Sequence, residues 1–209
     1  MAAVPMTPEL LLVPAAYLLG GVPAGYLIAK RAKGIDIRGE GSGNPGAANV
    51  YHVVGKAAGA ATLAVDALKG WLPVTLARTL EPEDPSLMLL CGGAAIVGHV
   101  WTVFLCFRGG KGVATSAGVF AAVLPLPTAV AVAVFVVVTA LSRHISAGSI
   151  AASALFPFFA LGAPRPVLAF CTAACALILY KHIPNIRYLL TGEKLVPRNK
   201  DLEKQRKMQ

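Results

Sequence analysis

The sequence predicts an all-α membrane protein with seven transmembrane helices, its N-terminus outside, its C-terminus cytoplasmic, and one or more helices short or broken. Three observations carry that expectation. Of 209 residues, 56% are hydrophobic and only 14% charged, whereas a soluble domain carries about 25% charged residues. Mean hydropathy is +0.66, and the apolar residues fall in blocks near the roughly 20 residues a helix needs to cross the hydrocarbon core. Those blocks recur along the whole chain, which excludes a soluble domain on a single anchor.

The blocks read as 8–29, 57–79, 86–107, 113–124, 127–142, 147–162 and 166–180. No basic residue precedes the first, as a cleavable signal would require. It ends instead in Lys30, Arg31 and Lys33, a span stopped by cytoplasmic charge. The fourth block reaches only about 18 Å as a helix. It either starts inside the protein or joins the fifth as one broken helix around Pro125 and Pro127, so hydropathy alone allows five to seven crossings. Charge decides among these. With seven crossings, sixteen of the nineteen Lys and Arg lie on the cytoplasmic side, including eight in 181–209, as the positive-inside rule expects. Merging the fourth and fifth blocks would put the basic tail outside.

Residues 1–193 thus form one membrane domain, and 194–209 a polar tail of mixed charge. The formal charge of +9 follows from this topology and from anionic lipid headgroups, with no call for nucleic acid. Cys91, Cys106, Cys171 and Cys175 all sit in apolar blocks and form no C-x-x-C pair. They read as small buried residues, with neither a disulfide framework nor a metal site expected.

Several segments fall together on the cytoplasmic side. Residues 39–50 hold four glycines, Pro45, Asn44 and Asn49. Such a run serves either as an ordinary loop or as a cradle of backbone N–H groups for an anion, with a helix starting near Pro45 and capped by Ser42 and Asn44. His99 lies upstream of a second segment, where Arg108 and Lys111 are embedded among Gly109, Gly110 and Gly112. This is not a Walker A loop, because Gly112 occupies the position after the lysine where that motif needs Ser or Thr. Three glycines around one lysine favour phosphate binding over a simple turn. A third segment follows the last span, with His182, Asn185, Arg187, Gly192 and Glu193. His182 and Asn185 share a face if the helix continues past Pro184. Ser142, Ser146 and Ser149 offer hydroxyls between the fifth and sixth spans, Ser146 equally as a helix cap. Within the second span, Asp66 and Lys69 are three apart. Charges at that depth are costly unless paired, so the two form either a structural ion pair or part of a site.

The combined strings resemble the bacterial acyl-phosphate-dependent glycerol-3-phosphate acyltransferases. They are Ser42-Gly-Asn-Pro-Gly-Ala47 with Asn49-Val50, Asp66-x-x-Lys69-Gly70, Gly98-His99 through Gly109-Gly-Lys-Gly-Val-Ala-Thr115, and Lys181-His182-x-x-Asn185-Ile186, in the family's order and over nearly the whole chain. The resemblance implies an enzyme of the bacterial inner membrane with seven helices and a cytoplasm-facing site. It implies acyl transfer from acyl phosphate to the 1-hydroxyl of glycerol 3-phosphate, giving lysophosphatidic acid and phosphate. No protein nucleophile, cofactor or metal is implied, and the partners are the two substrates and membrane lipid.

By position, the resemblance assigns Lys111, His182 and Asn185 to catalysis. It assigns substrate binding to Ser42, Gly43, Asn44, Gly46, Ala47, Asn49, His52, Asp66, Lys69, Gly109, Gly110, Ser146, Ser149 and Glu193. Four positions depart from the family's usual pattern. Ala48 stands for Thr, His52 for Arg, Thr102 for Pro and Tyr188 for Arg. Losing the arginine at 52 removes a fixed charge from the phosphate site, since histidine is only partly protonated at neutral pH. The competing reading is a small membrane transporter for a phosphorylated solute, with Asp66 and Lys69 as coupling residues.

Overall fold

The computed structural model describes residues 11–82 and 85–192, and every regular element among these residues is a helix. In chain order they are α1 (Leu12–Gly21), α2 (Ala24–Lys33), α3 (Ala47–Val53), α4 (Lys56–Leu80), α5 (Pro85–Val100), α6 (Val113–Val123), α7 (Pro125–Ser142), α8 (Ile145–Phe159), α9 (Arg165–Lys181) and α10 (Ile183–Thr191). Glu193 and the polar tail lie outside the described residues.

α4 displays the environment most clearly, because its pattern inverts that of a soluble helix. Its buried stripe contains Thr62, Asp66, Lys69 and Gly70, while Leu68, Leu72 and Leu76 are exposed at intervals of four. Polar groups face protein and leucines face outward, the arrangement a hydrocarbon solvent selects. α7 is similarly turned out, with Val132, Val136, Val137 and Leu141 exposed. By length and composition, Leu12–Lys33, Pro85–Leu105 and Pro125–Ser142 can each cross a membrane, and α9 with α10, bent by 53°, makes a fourth candidate. The chain is therefore a multi-pass membrane protein.

Each predicted apolar block is found as helix, with breaks the hydropathy did not place. The first divides into α1 and α2 at Val22-Pro23. Proline holds its preceding residue out of helical geometry, and Val22 sits at ψ 117°. The third block stops helically at Val100 and ends in a 3-10 turn over Val103–Leu105. Thr102 makes that turn, its hydroxyl accepting from Phe104 N–H at 3.2 Å and donating to the Gly21 carbonyl at 2.6 Å. It thereby satisfies a carbonyl left free at the end of α1. The expectation that all four cysteines are buried needs correction at one position: Cys106 lies past the end of α5 and is exposed, whereas Cys91, Cys171 and Cys175 are buried.

Close helix contacts are built on small residues, which let backbones approach where hydrophobicity alone gives no drive. A side chain added at Gly70 would meet the Thr115 carbonyl, and one at Gly118 the Ala67 carbonyl. α4 and α6 therefore touch along their backbones. The main core joins Val74, Ile96, Val119, Phe120, Phe156, Cys171 and Cys175, with the Phe120 and Phe156 rings stacked at 4.3 Å. This packing brings the loops before α3, α6, α8 and α10 to one end of the bundle.

Candidate active site

A cavity of about 870 Å³ opens at that end. Four helices begin at its wall: α3 through Gly46, Ala47 and Ala48; α6 through Gly112, Val113 and Ala114; α8 through His144, Ile145 and Ser146; and α10 through His182 and Asn185. The first N–H groups of a helix find no acceptor within it. Ala47, Ala48, Val113, Ala114, Ile145 and Ser146 each leave such a group without an acceptor among the described residues. Donors and positive dipole ends from separate helices thus converge on one space, the geometry of an anion site.

The loop before α3 is shaped by Asn49. Its side-chain oxygen accepts from Ser42 N–H at 3.0 Å, and its amide donates to the carbonyls of Ile37 and Glu40 at 3.1 and 2.9 Å. Buried, with both amide hydrogens donated, Asn49 holds the loop; its oxygen keeps one lone pair on the cavity side for a substrate donor. The helix starts at Ala47, after the Gly46 cap, with no side-chain cap. Asn44 instead accepts from Gly46 N–H at 2.9 Å, because Pro45 disfavours helical geometry in the residue before it. Ser42, Asn44, Gly46, Ala47, Asn49 and His52 line the cavity. Gly43 does not; its N–H donates to the Glu40 carbonyl at 2.9 Å and its φ is +71°.

Lys111 projects from the α5–α6 loop and donates to Asn185 Oδ1, joining two of the predicted catalytic residues across the cavity. Burial pushes its pKa down to about 8, with the charge of Lys181 adding to the effect. At neutral pH it remains largely protonated, but it is poorly solvated and short of a counter-charge. Gly109 and Gly110 do not reach the main cavity. Their N–H groups donate to Val100 and His99 carbonyls at 3.2 and 3.0 Å, and a side chain on Gly110 would strike the His99 ring. Their small size sets the path of the loop, and their amides are not available to a ligand.

His182 stands at the break between α9 and α10, where the two helices bend rather than continue. It shares the cavity with Asn185 through that bend. Its Nδ1 lies 2.8 Å from the Ile178 carbonyl, which can only accept, so Nδ1 carries the proton and Nε2 keeps a lone pair. Burial, and then the charge of Lys111, push its pKa down to about 4 against the opposing carbonyl bond. It is a neutral acceptor at pH 7.

Asp66 and Lys69 form the internal pair anticipated for them, at 2.7 Å and both buried. Lys69 also donates to the Val22 carbonyl at 2.7 Å, a group freed by the α1–α2 break. Asp66 reaches the main cavity, while Lys69 faces only a small void of about 10 Å³ beside Gly109 and Gly110. His99 bridges both spaces and lies 3.7 Å from Asp66. Ser146 and Ser149 line the cavity, Ser146 as the second residue of α8 rather than its cap. Ser149 donates back to the Ile145 carbonyl at 3.0 Å. Residues not anticipated at the site include Leu63, Phe135, Arg143 and His144. The only signal for Arg143 and His144 was their closeness in sequence to Ser146.

Fold and site together define a class: a helical membrane protein with a polar-lined cavity walled by helix N-termini. The chain belongs to the glycerol-3-phosphate acyltransferase family, whose model matches residues 10–192. It is 49% identical over 189 residues to the glycerol-3-phosphate acyltransferase of Geobacter sulfurreducens, covering 90% of this chain and 96% of that one. It is 47% identical over 190 residues to the enzyme of Trichlorobacter lovleyi, covering 90% and 96%. Among solved structures, it matches PlsY (YgiH), an integral membrane glycerol 3-phosphate acyltransferase in its glycerol 3-phosphate form. That match has a TM-score of 0.85 and 40% identity, covering 89% of this chain and 94% of that one. The lysophosphatidic acid form matches with a TM-score of 0.83 and 39% identity, covering 89% and 93%.

Proposed function

We propose that this protein transfers a fatty acyl group from acyl phosphate to the 1-hydroxyl of glycerol 3-phosphate, releasing lysophosphatidic acid and inorganic phosphate. The observation that carries the reading is the convergence of four helix N-termini and Lys111 on one cavity. Both substrates present a phosphate, and the donor of this pair is already an activated mixed anhydride. Family membership supplies the acceptor, and the resemblance in motifs supplies the donor.

The acceptor hydroxyl attacks the acyl carbonyl, the carbon–oxygen bond to phosphate breaks, and phosphate leaves with the electron pair. The protein contributes alignment, worth up to about 7–11 kcal/mol, and donors preorganised toward the developing charge, each worth roughly 3–4 kcal/mol. Lys111 and the free first-turn amides fit the second role. His182 accepts the substrate hydroxyl's hydrogen bond at Nε2 and orients it. With a pKa near 4 it is a weak base, so the hydroxyl proton passes to a phosphate oxygen of the substrate. No serine or cysteine need form an acyl-enzyme. Asn185 accepts from Lys111 and holds its ammonium in place.

In this reading the seven apolar segments each cross the inner membrane, the N-terminus is outside, and the cavity faces the cytoplasm. The acyl chain lies past Leu63 and Phe135, between α4 and α7 and open to lipid. A transporter reading would need Asp66 or Lys69 free to exchange partners, whereas both are committed to each other and to the Val22 carbonyl.

The test is phosphate release by purified protein given palmitoyl phosphate with and without glycerol 3-phosphate. Release that depends on both, with lysophosphatidic acid formed, is expected. Folded protein that releases none would sink the assignment.

A further inference from the structure

Among the described α-helices, α10 alone buries no residue. It follows α9 directly, with His182 at the junction and a bend of 53°. Its nine residues reach only about 14 Å, too little to continue across the hydrocarbon core. Its two faces differ. Asn185 and Tyr188, three apart, turn to the cavity. Asn185 accepts from Lys111, and the Tyr188 ring faces that of His144 with centroids 6.2 Å apart. Ile183, Arg187 and Leu190 share the opposite face, roughly 140–200° around the helix from Asn185. All three are exposed, Ile183 at 48% and Leu190 at 81%.

An outward isoleucine and leucine flanking an arginine fit the boundary between acyl chains and headgroups. The apolar pair enters the acyl side, and the arginine lays its stem along that surface while its charge reaches the phosphates. Charge favours an anionic lipid. α10 carries no acidic residue, and from 181 to 209 the sequence holds eight Lys and Arg against three Asp and Glu. A second cluster sets the depth independently. Lys181, directly before the bend, lies over the Trp101 ring at 5.6 Å. Trp101 is exposed, as are Phe104 and Phe107 on the turn that follows it. Aromatic rings and cations grouped at the end of a span mark a membrane interface, so α10 starts at that level.

We infer that α10 is an interfacial helix whose Ile183, Arg187 and Leu190 face binds anionic headgroups of the surrounding bilayer, and that this seating holds Asn185 against Lys111. The effect on activity rests on the proposed function; the seating rests on geometry alone. With no residue of its own buried, α10 takes its position from the membrane on one side and from Asn185 and Tyr188 on the other. Arg187 and Leu190 are therefore positioning residues that act on the site through Asn185.

The experiment uses full-length protein in phosphatidylcholine vesicles with and without phosphatidylglycerol. A spin label is placed by Leu190→Cys in a Cys106→Ser background, the other three cysteines being buried. With phosphatidylglycerol present, the label should be reached more readily by oxygen than by a water-soluble nickel chelate. In the same vesicles, Arg187→Gln and Leu190→Ser should each lower kcat/KM for glycerol 3-phosphate at least fivefold. Added to Asn185→Ala, either change should cost less than twofold, which a general structural role would not produce. Omitting phosphatidylglycerol should reproduce the loss in the unmodified protein and leave Arg187→Gln within twofold. Preferential access by the nickel chelate overturns the seating, and label–label coupling overturns it in favour of a second copy on that face. Undiminished kcat/KM in both variants, or equal losses with and without Asn185, overturns the link to Lys111. Should a variant fail to fold, the label result still decides the seating, and the lipid comparison on unmodified protein still decides the link. No acyl transfer to glycerol 3-phosphate by the unmodified protein overturns the proposed function, while the label position judges the seating separately.

Discussion

Replacing Lys111 by Arg separates the charge at that position from its titration. In the free protein Lys111 loses its proton near pH 8, so it is about nine-tenths charged at pH 7 and about one-tenth at pH 9. Because kcat/KM reports groups of the free enzyme, it should fall above pH 8 by roughly tenfold per unit. The sign follows from the role: the protonated form binds the anion, and raising pH removes it. A bound phosphate raises the pKa of Lys111, so kcat should stay flat to higher pH than kcat/KM. Arginine stays charged throughout, and the basic limb should vanish in Lys111→Arg even if the longer side chain lowers the plateau. Lys111→Met removes the charge and should cost on the order of 100- to 1,000-fold, the worth of one preorganised donor. The assay is steady-state phosphate release between pH 6 and 10 in lipid, with folding checked at each pH. A basic limb that persists unchanged in Lys111→Arg would refute the role given to Lys111.

Three further outcomes follow from the same geometry. His182→Ala should raise KM for glycerol 3-phosphate with kcat largely kept, and a loss confined to kcat would mark His182 as a general base instead. Asp66→Asn leaves Lys69 buried without its counter-charge and should cost about 3–5 kcal/mol; thermal unfolding in detergent would show it, and the double change to Leu at both positions should be milder. Gly110→Ala drives a methyl into the His99 ring, with a cost of about 1–3 kcal/mol and a displaced Lys111. Unaltered melting and activity in that variant would contradict the packing described for the loop.

Helix content was legible because hydrocarbon solvent imposes a simple rule: among the described residues each of the seven apolar blocks is mainly helical, the first as two helices. The breaks were less so. Pro23 splits the first block, yet proline inside an apolar run is also tolerated in continuous membrane helices, so composition alone does not mark the kink. The Asp66–Lys69 pair was visible from spacing and cost. Lys111, His182 and Asn185 were visible as residue types, but the bond from Lys111 to Asn185 joins positions 74 apart and is set by tertiary packing. Gly109 and Gly110 were assigned to substrate because glycine runs suit anions. Their hydrogen bonds turned inward, since buried backbone and amide groups must be satisfied first. Arg143 went unnoticed because one arginine after a span already has a sufficient reason in topology.

The meeting of four helix starts has a consequence for how this site tolerates change. A mutation alters a side chain and leaves the peptide group where it was. Under the proposed function, donors to the substrate phosphates are written in the main chain, at Ala47, Ala48, Val113, Ala114, Ile145 and Ser146, where exchanging the residue type deletes no donor unless proline enters. The side chains around that fixed frame are free to drift and to trade duties.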